Sequence, residues 1–152
     1  MLSRFERFSH AIAEINKCWH KIASDEMGRY GLKGPHAIYL TAMLRYPDGI
    51  TAAELCEVCA RDKSDVSRAI SDMEEKGIVV RLSEGKNTYR AKLVLTEDGK
   101  SAAEHIERRA TLAVESGGRG LGEERREVLY EGLELIVENL RSVCEQGLGE
   151  DE

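Results

Sequence analysis

Residues 2–22 place Phe5, Phe8, Ile12, Ile15, Trp19 and Ile22 at steps of 3, 4, 3, 4 and 3. That is a narrow helical seam with the 3.5-residue spacing of helix-to-helix packing. Near the other end Leu129, Leu133, Ile136, Leu140 and Val143 repeat it at steps of 4, 3, 4 and 3. Between them Ala103, Ile106, Ala110 and Ala113 form a small-residue stripe on a helix expected to begin near Thr96. The glycine-rich SGGRGLG, Ser116 to Gly122, separates the last two helices. An intramolecular bundle would use such seams, but two of them at opposite ends of a short chain suit a dimer better.

The middle of the chain has a different pattern. Gly34-Pro35 opens a helix that runs through HAIYLTAMLRY and stops at the turn signal Pro47-Asp48-Gly49. Thr51-Ala52-Ala53-Glu54 is a capping box for a short helix, TAAELCEVCA. Arg61-Asp62 ends that helix, and Asp62 suits the N-cap of the next, KSDVSRAISDMEE. At about 100° per residue, Val66, Ala69, Ile70 and Met73 share one face, which must be buried. The opposite face carries Ser64, Ser67, Arg68 and Ser71, with Asp65 and Asp72 to one side.

After Gly77 as a C-cap, IVVRLS (78–83) and TYRAKLVL (88–95) read as the strands of a hairpin around Glu84-Gly85-Lys86-Asn87. The predicted fold is therefore mostly α with a small β-hairpin, in the order of a winged helix-turn-helix flanked by N- and C-terminal helices. On such a fold a face of short hydroxyls and one arginine can approach a major groove closely. The hairpin would reach the neighbouring backbone or minor groove.

Charge sharpens this picture. The 152 residues carry a net −6, unfavourable for nucleic acid, but the balance is uneven. Residues 1–96 hold 15 Lys+Arg against 13 Asp+Glu, whereas residues 97–152 hold 7 against 15. Within 81–92, Arg81, Lys86, Arg90 and Lys92 face Glu84 alone. A polyanion responds to the local field, so it would meet the first part. The charged N-terminus lacks the apolar core of a secretory signal, and no apolar run approaches the ~20 residues of a membrane span. Four scattered cysteines make no disulfide scaffold, so a cytoplasmic protein with reduced thiols is expected.

ELCEVCARDKSDVSRAISDMEEKGIVVRLS, a basic turn, and then LVLTEDGK resemble the MarR family of bacterial transcription regulators. The resemblance extends over most of the chain. It implies an N-terminal dimerisation helix in 1–33, the winged DNA-binding domain in 34–96, C-terminal dimerisation helices in 97–148 and an acidic tail in 149–152. It further implies a homodimer on pseudo-palindromic double-stranded DNA, usually a repressor, released by a small-molecule effector or an oxidant. No cofactor is expected.

Carried over residue by residue, Lys63, Ser64, Ser67 and Arg68 look like recognition-helix contacts, with Ser71 beside them. Thr51 looks like the residue whose helix N-terminus meets a phosphate. The wing departs from the family, with Asn87 and Tyr89 where Asp and then Arg are common, so Arg81, Lys86, Asn87 and Arg90 are its candidate contacts. The family's ligand cleft would be lined from the segments holding Trp19, His20, His36, Tyr39 and Met43.

Cys56 and Cys59 form a CxxC, but both lie inside a helix, one turn apart and away from the N-terminal position that favours a thiolate. Small buried residues fit them better than a redox sensor. Cys18 and Cys144 lie on the presumed dimerisation helices. His10, His20, His36 and His105 lack metal-site spacing and are expected at or near the surface. No nucleophile–base motif or phosphate loop points to an enzyme. The competing reading is a protein-interaction module on the same fold without operator binding.

Overall fold

A computed structural model describes residues 2–82 and 90–149. The chain divides into two compact units, Met1–Thr111 and Leu112–Glu152.

The first unit begins with helix α1, Arg4–Met27. Ser3 and Glu6 close a capping box: the Glu6 amide donates to Ser3 Oγ at 3.1 Å, and Ser3 N–H donates to the Glu6 carboxylate at 2.7 Å. The helix continues past the predicted seam, because Glu26 and Met27 are its buried residues. The seam itself is uncovered, from Phe5 at 77 % exposure through Ile22. Single-turn helices at Gly28–Tyr30 and Gly34–His36 lead into α2, Ala37–Met43.

Helix α2 is shorter than the sequence pattern suggests at both ends. Its start, Gly34–His36, is a 3-10 turn. Its end unwinds as Arg45 and Tyr46 bond three residues back, to Ala42 and Met43. Pro47 follows, and the α conformation is disfavoured immediately before proline.

Helices α3 (Ala52–Cys59) and α4 (Lys63–Glu75) form the helix-turn-helix. The Thr51–Glu54 capping box forms as predicted, at 2.8 and 3.2 Å. Asp62 is the N-cap of α4, but its side chain makes no capping hydrogen bond. Between the helices Ala60 takes the left-handed conformation, φ 49°. Helix α4 ends in a Schellman motif, with Gly77 (φ +69°) donating to Glu74 and Ile78 to Met73.

Strands β1 (Val79–Leu82) and β2 (Lys92–Leu95) pair antiparallel, Val79 opposite Leu95 and Leu82 opposite Lys92. They are shorter than the predicted strands, whose inner ends at 83 and 88–89 lie outside the described residues. Ile50 adds a bridge to Leu93 on the other edge of β2. The core gathers Met27, Leu40, Ile50, Leu55, Val66, Ile70, Met73, Leu93, Ala103 and Ile106. Each fully buried large side chain there contributes about 1.5–3 kcal/mol.

Helix α5, Glu97–Gly117, starts against the end of α4. Thr96 Oγ1 donates to the Gly77 carbonyl at 2.7 Å and accepts from Gly99 N–H at 3.0 Å. A Cβ on Gly99 would collide with the Ile78 carbonyl, so glycine alone lets the two backbones meet. Farther along, Glu26 accepts from Arg109 Nε at 2.7 Å and lies 3.1 Å from His105 Nε2. Arg109, His105 and Arg29 hold its carboxyl below the ordinary value against the opposing effect of burial.

In the second unit, α6 (Glu123–Gln146) begins at Gly122 after the predicted glycine-rich break. Arg126 bonds Glu115 at 2.8 Å and the Gly118 carbonyl at 3.3 Å. None of the described residues of α6 is buried, and Leu129, Leu133, Ile136 and Leu140 form an exposed apolar seam. No helix among the described residues is long and apolar enough to cross a membrane.

Candidate nucleic-acid interface

Helix α4 has two chemically distinct sides. Val66, Ala69, Ile70 and Met73 are buried, between 0 and 2 % exposed, which fixes the helix's rotation about its axis. Lys63, Ser64, Ser67, Arg68 and Ser71 are consequently exposed. The hydroxyl of Ser71 donates back to the Ser67 carbonyl at 3.1 Å, which leaves its lone pairs as the outward-facing group.

Arg68 is not idle. Its side chain is 75 % exposed, and its Nη2 donates to Asp65 Oδ1 at 2.7 Å, one turn back along the same helix. An exposed pair of this kind is worth well under 1 kcal/mol, so a better bidentate acceptor can take the guanidinium away. Asp65 was set to one side in the sequence pattern. The i,i+3 spacing was the available signal for the pair.

Two neighbouring candidates are engaged by carboxylates. Thr51 N–H, the donor a phosphate would use at the start of α3, is taken by Glu54. Thr51's backbone and hydroxyl in turn hold the Glu54 carboxyl below its ordinary value. A phosphate arriving there would meet that carboxylate first. Arg81 donates from Nε to Glu74 at 2.7 Å, bracing β1 against α4. Arg90 is exposed, while Lys86 and Asn87 lie outside the described residues. A groove of about 440 Å³ runs between α3 and α4, with Val66 and Ile70 in its wall and Lys63, Ser67 and Arg81 also lining it.

The cysteines of α3 differ from each other. Cys59 is buried with its Sγ 3.8 Å from the Ile38 carbonyl, and burial pushes its thiol up, away from the reactive thiolate. Cys56 is half-buried in the wall of the groove. Cys18 and Cys144 are exposed.

The five residues expected near a ligand cleft divide into two sets. Tyr39 and Met43 belong to the core and His36 is buried, whereas Trp19 and His20 are exposed on α1. A surface position for His36 is thereby corrected: it sits beneath the turn that opens α2, in contact with Lys33 and Asp72.

Residues 30–87 match a family model described as the MarR family. An uncharacterised HTH-type transcriptional regulator of Bacillus subtilis, YybA, is 26% identical over 129 residues, covering 85% of each chain. A MarR transcriptional regulator from Methanosarcina mazei superposes with a TM-score of 0.78 at 22% identity, over 91% of this chain and 99% of that one. A MarR family regulator from Listeria monocytogenes complexed with 26mer DNA gives 0.80 at 21% identity, over the full length of both. At these identities the structural likeness establishes the fold.

Proposed function

With a MarR-family winged helix over residues 30–87 as the premise, we propose that the protein is a sequence-specific, double-stranded-DNA-binding transcription regulator that reads a major groove with α4. The observation that carries this is the outward face of α4. Its exposed Lys63, Ser64, Ser67, Arg68 and Ser71 lie opposite a fully buried apolar face, with the hairpin braced beside them through Arg81 and Glu74. Short hydroxyls permit close approach, and Arg68 supplies the planar fork that matches guanine. The Listeria protein of the same fold was solved with DNA, which supports the reading.

A homodimer on a pseudo-palindromic site follows from the uncovered seams of α1 and α6. Each presents apolar residues that its own unit leaves exposed, and burying them against a second copy is the simplest use for them. Repression by operator occupancy, relieved by a small-molecule effector, is the mode of control that the resemblance implies.

The test is fluorescence anisotropy with DNA selected from a random pool and with the DNA upstream of the protein's own gene, at two salt concentrations, against scrambled competitor. Affinity that survives competitor and falls with salt supports the regulator. Equal, weak binding to every sequence would leave the fold to a protein-interaction role.

A further inference from the structure

We infer that His36 is a positioning residue for the reading helix α4, and that adding a proton to it displaces the turn packed beside Asp72 of that helix, so that specific DNA binding weakens in acid. The inference rests on α4 as the DNA-reading element.

The imidazole lies under the turn between α1 and α2, with its side chain 7 % exposed. Its Nδ1 accepts from the Lys33 backbone N–H at 3.3 Å. An accepting Nδ1 carries no proton, so the ring is neutral with its one N–H on Nε2. That edge faces Asp72 Oδ2, on α4, at 3.7 Å. The same ring therefore closes the turn with one nitrogen and faces the reading helix with the other.

Among the described residues, two charged groups act on it. Asp72 faces it from α4, and Lys33 Nζ reaches the same Asp72 oxygen at 3.8 Å. Lys76, the C-cap of α4, lies against Gly31 of the same connection. Asp72 attracts a cationic ring, Lys33 repels it, and burial opposes it most, so the imidazole's proton affinity is lowered.

Protonation has a consequence beyond charge. A second proton on the ring must go to Nδ1, where it would point at the Lys33 N–H, donor against donor. Either the turn opens or the ring leaves its site. Each outcome ends the arrangement in which one side chain both closes the α1–α2 connection and faces α4.

The direction is diagnostic. Acid makes the protein more positive, which by itself strengthens contact with phosphates. Loss of binding in acid runs against that trend. If the DNA-bound protomer excludes one proton, affinity falls by at most about tenfold per pH unit.

The experiment uses the full-length protein between pH 8 and 5 at constant ionic strength. Long-range proton–nitrogen NMR follows the His36 ring and the Asp72 amide, while anisotropy follows selected DNA. Expected are an unprotonated Nδ1 above pH 6.5, a His36 titration below that, an Asp72 amide that shifts with it, and DNA affinity falling through the same range. His36→Asn keeps an acceptor near the Nδ1 position and should bind at pH 7.5 within a few-fold of the parent, without the acid loss. The proposal is overturned if His36 titrates at or above 6.5, if the Asp72 amide is indifferent to it, or if His36→Asn shows the same acid loss. If no DNA binds at pH 7.5, the DNA-reading assignment fails, and the ring titration with the Asp72 response still decides the coupling.

Discussion

Arg68 sits between two partners at the residue scale. In the free protein it holds Asp65, and the proposed contact with a base or phosphate would require it to let Asp65 go. Replacing it with alanine should cost about 1–3 kcal/mol of specific affinity if the base contact is bidentate. Competition anisotropy checks this, and unchanged affinity would remove Arg68 from the base readers. Glu26 makes a second residue-scale prediction. Its folded proton affinity is lowered, so its stabilising effect is present above its ordinary value of 4.5 and is lost as pH falls through the lower folded value. Glu26→Gln should unfold at lower denaturant concentration than the parent at pH 7, and the gap should narrow below pH 4.5. A gap that is constant with pH would mean that charge is not what Glu26 contributes. Legibility at this scale follows sequence distance. Asp65 with Arg68, and Ser3 with Glu6, are three apart and could be read from spacing alone, as Thr51 with Glu54 was. The pairing of Glu26 with His105 and Arg109, 79 and 83 positions away, has no local signature. The burial of His36 is likewise a property of the assembled turn rather than of its neighbours in sequence.

At the scale of elements, hydrophobic period was enough to find α1, α4 and α6 and the face that α4 buries. Boundaries were less legible because backbone junctions decide them. The end of α3 is the clearest case, where Ala60 adopts φ 49°. A left-handed non-glycine residue costs about 1–2 kcal/mol, partly offset by the greater chain entropy that glycine loses on folding. Ala60→Gly should therefore stabilise the protein by roughly 0.5–1 kcal/mol, read from chemical denaturation, and a loss of stability would contradict the strain. Gly99 predicts the opposite sign. Its Cα faces the Ile78 carbonyl with no room for a methyl group, so Gly99→Ala should destabilise by about 1–3 kcal/mol, the range for overpacking. A thermal melt superimposable on the parent's would show that the α5 start can shift freely. Gly99 belongs to the LVLTEDGK stretch that carries the resemblance, and the carbonyl it accommodates explains why this position needs a glycine.

For the whole molecule, the seams of α1 and α6 set the expectation. Ile12→Glu and Leu133→Glu each put a carboxylate in an exposed apolar row. Light scattering should report two copies for the parent and a shift toward one copy for either variant at micromolar concentration. Two copies in both variants would place the association surface elsewhere. The uneven charge is a property of this scale too, since residues 97–152 carry 7 basic against 15 acidic residues. A polyanion would be repelled there and drawn instead to the first part of the chain, which favours the winged helix as the face for the proposed DNA contact. The joint at Thr96 and Gly99 completes the mechanical picture. Thr96 ties the first turn of α5 to the last carbonyls after α4, and Gly99 removes any cushion between α5 and Ile78. A linkage without slack transmits angle. Any tilt at the start of α5 would therefore bear directly on Ile78, at the base of the hairpin and just past the end of α4, as a lever bears on its pivot.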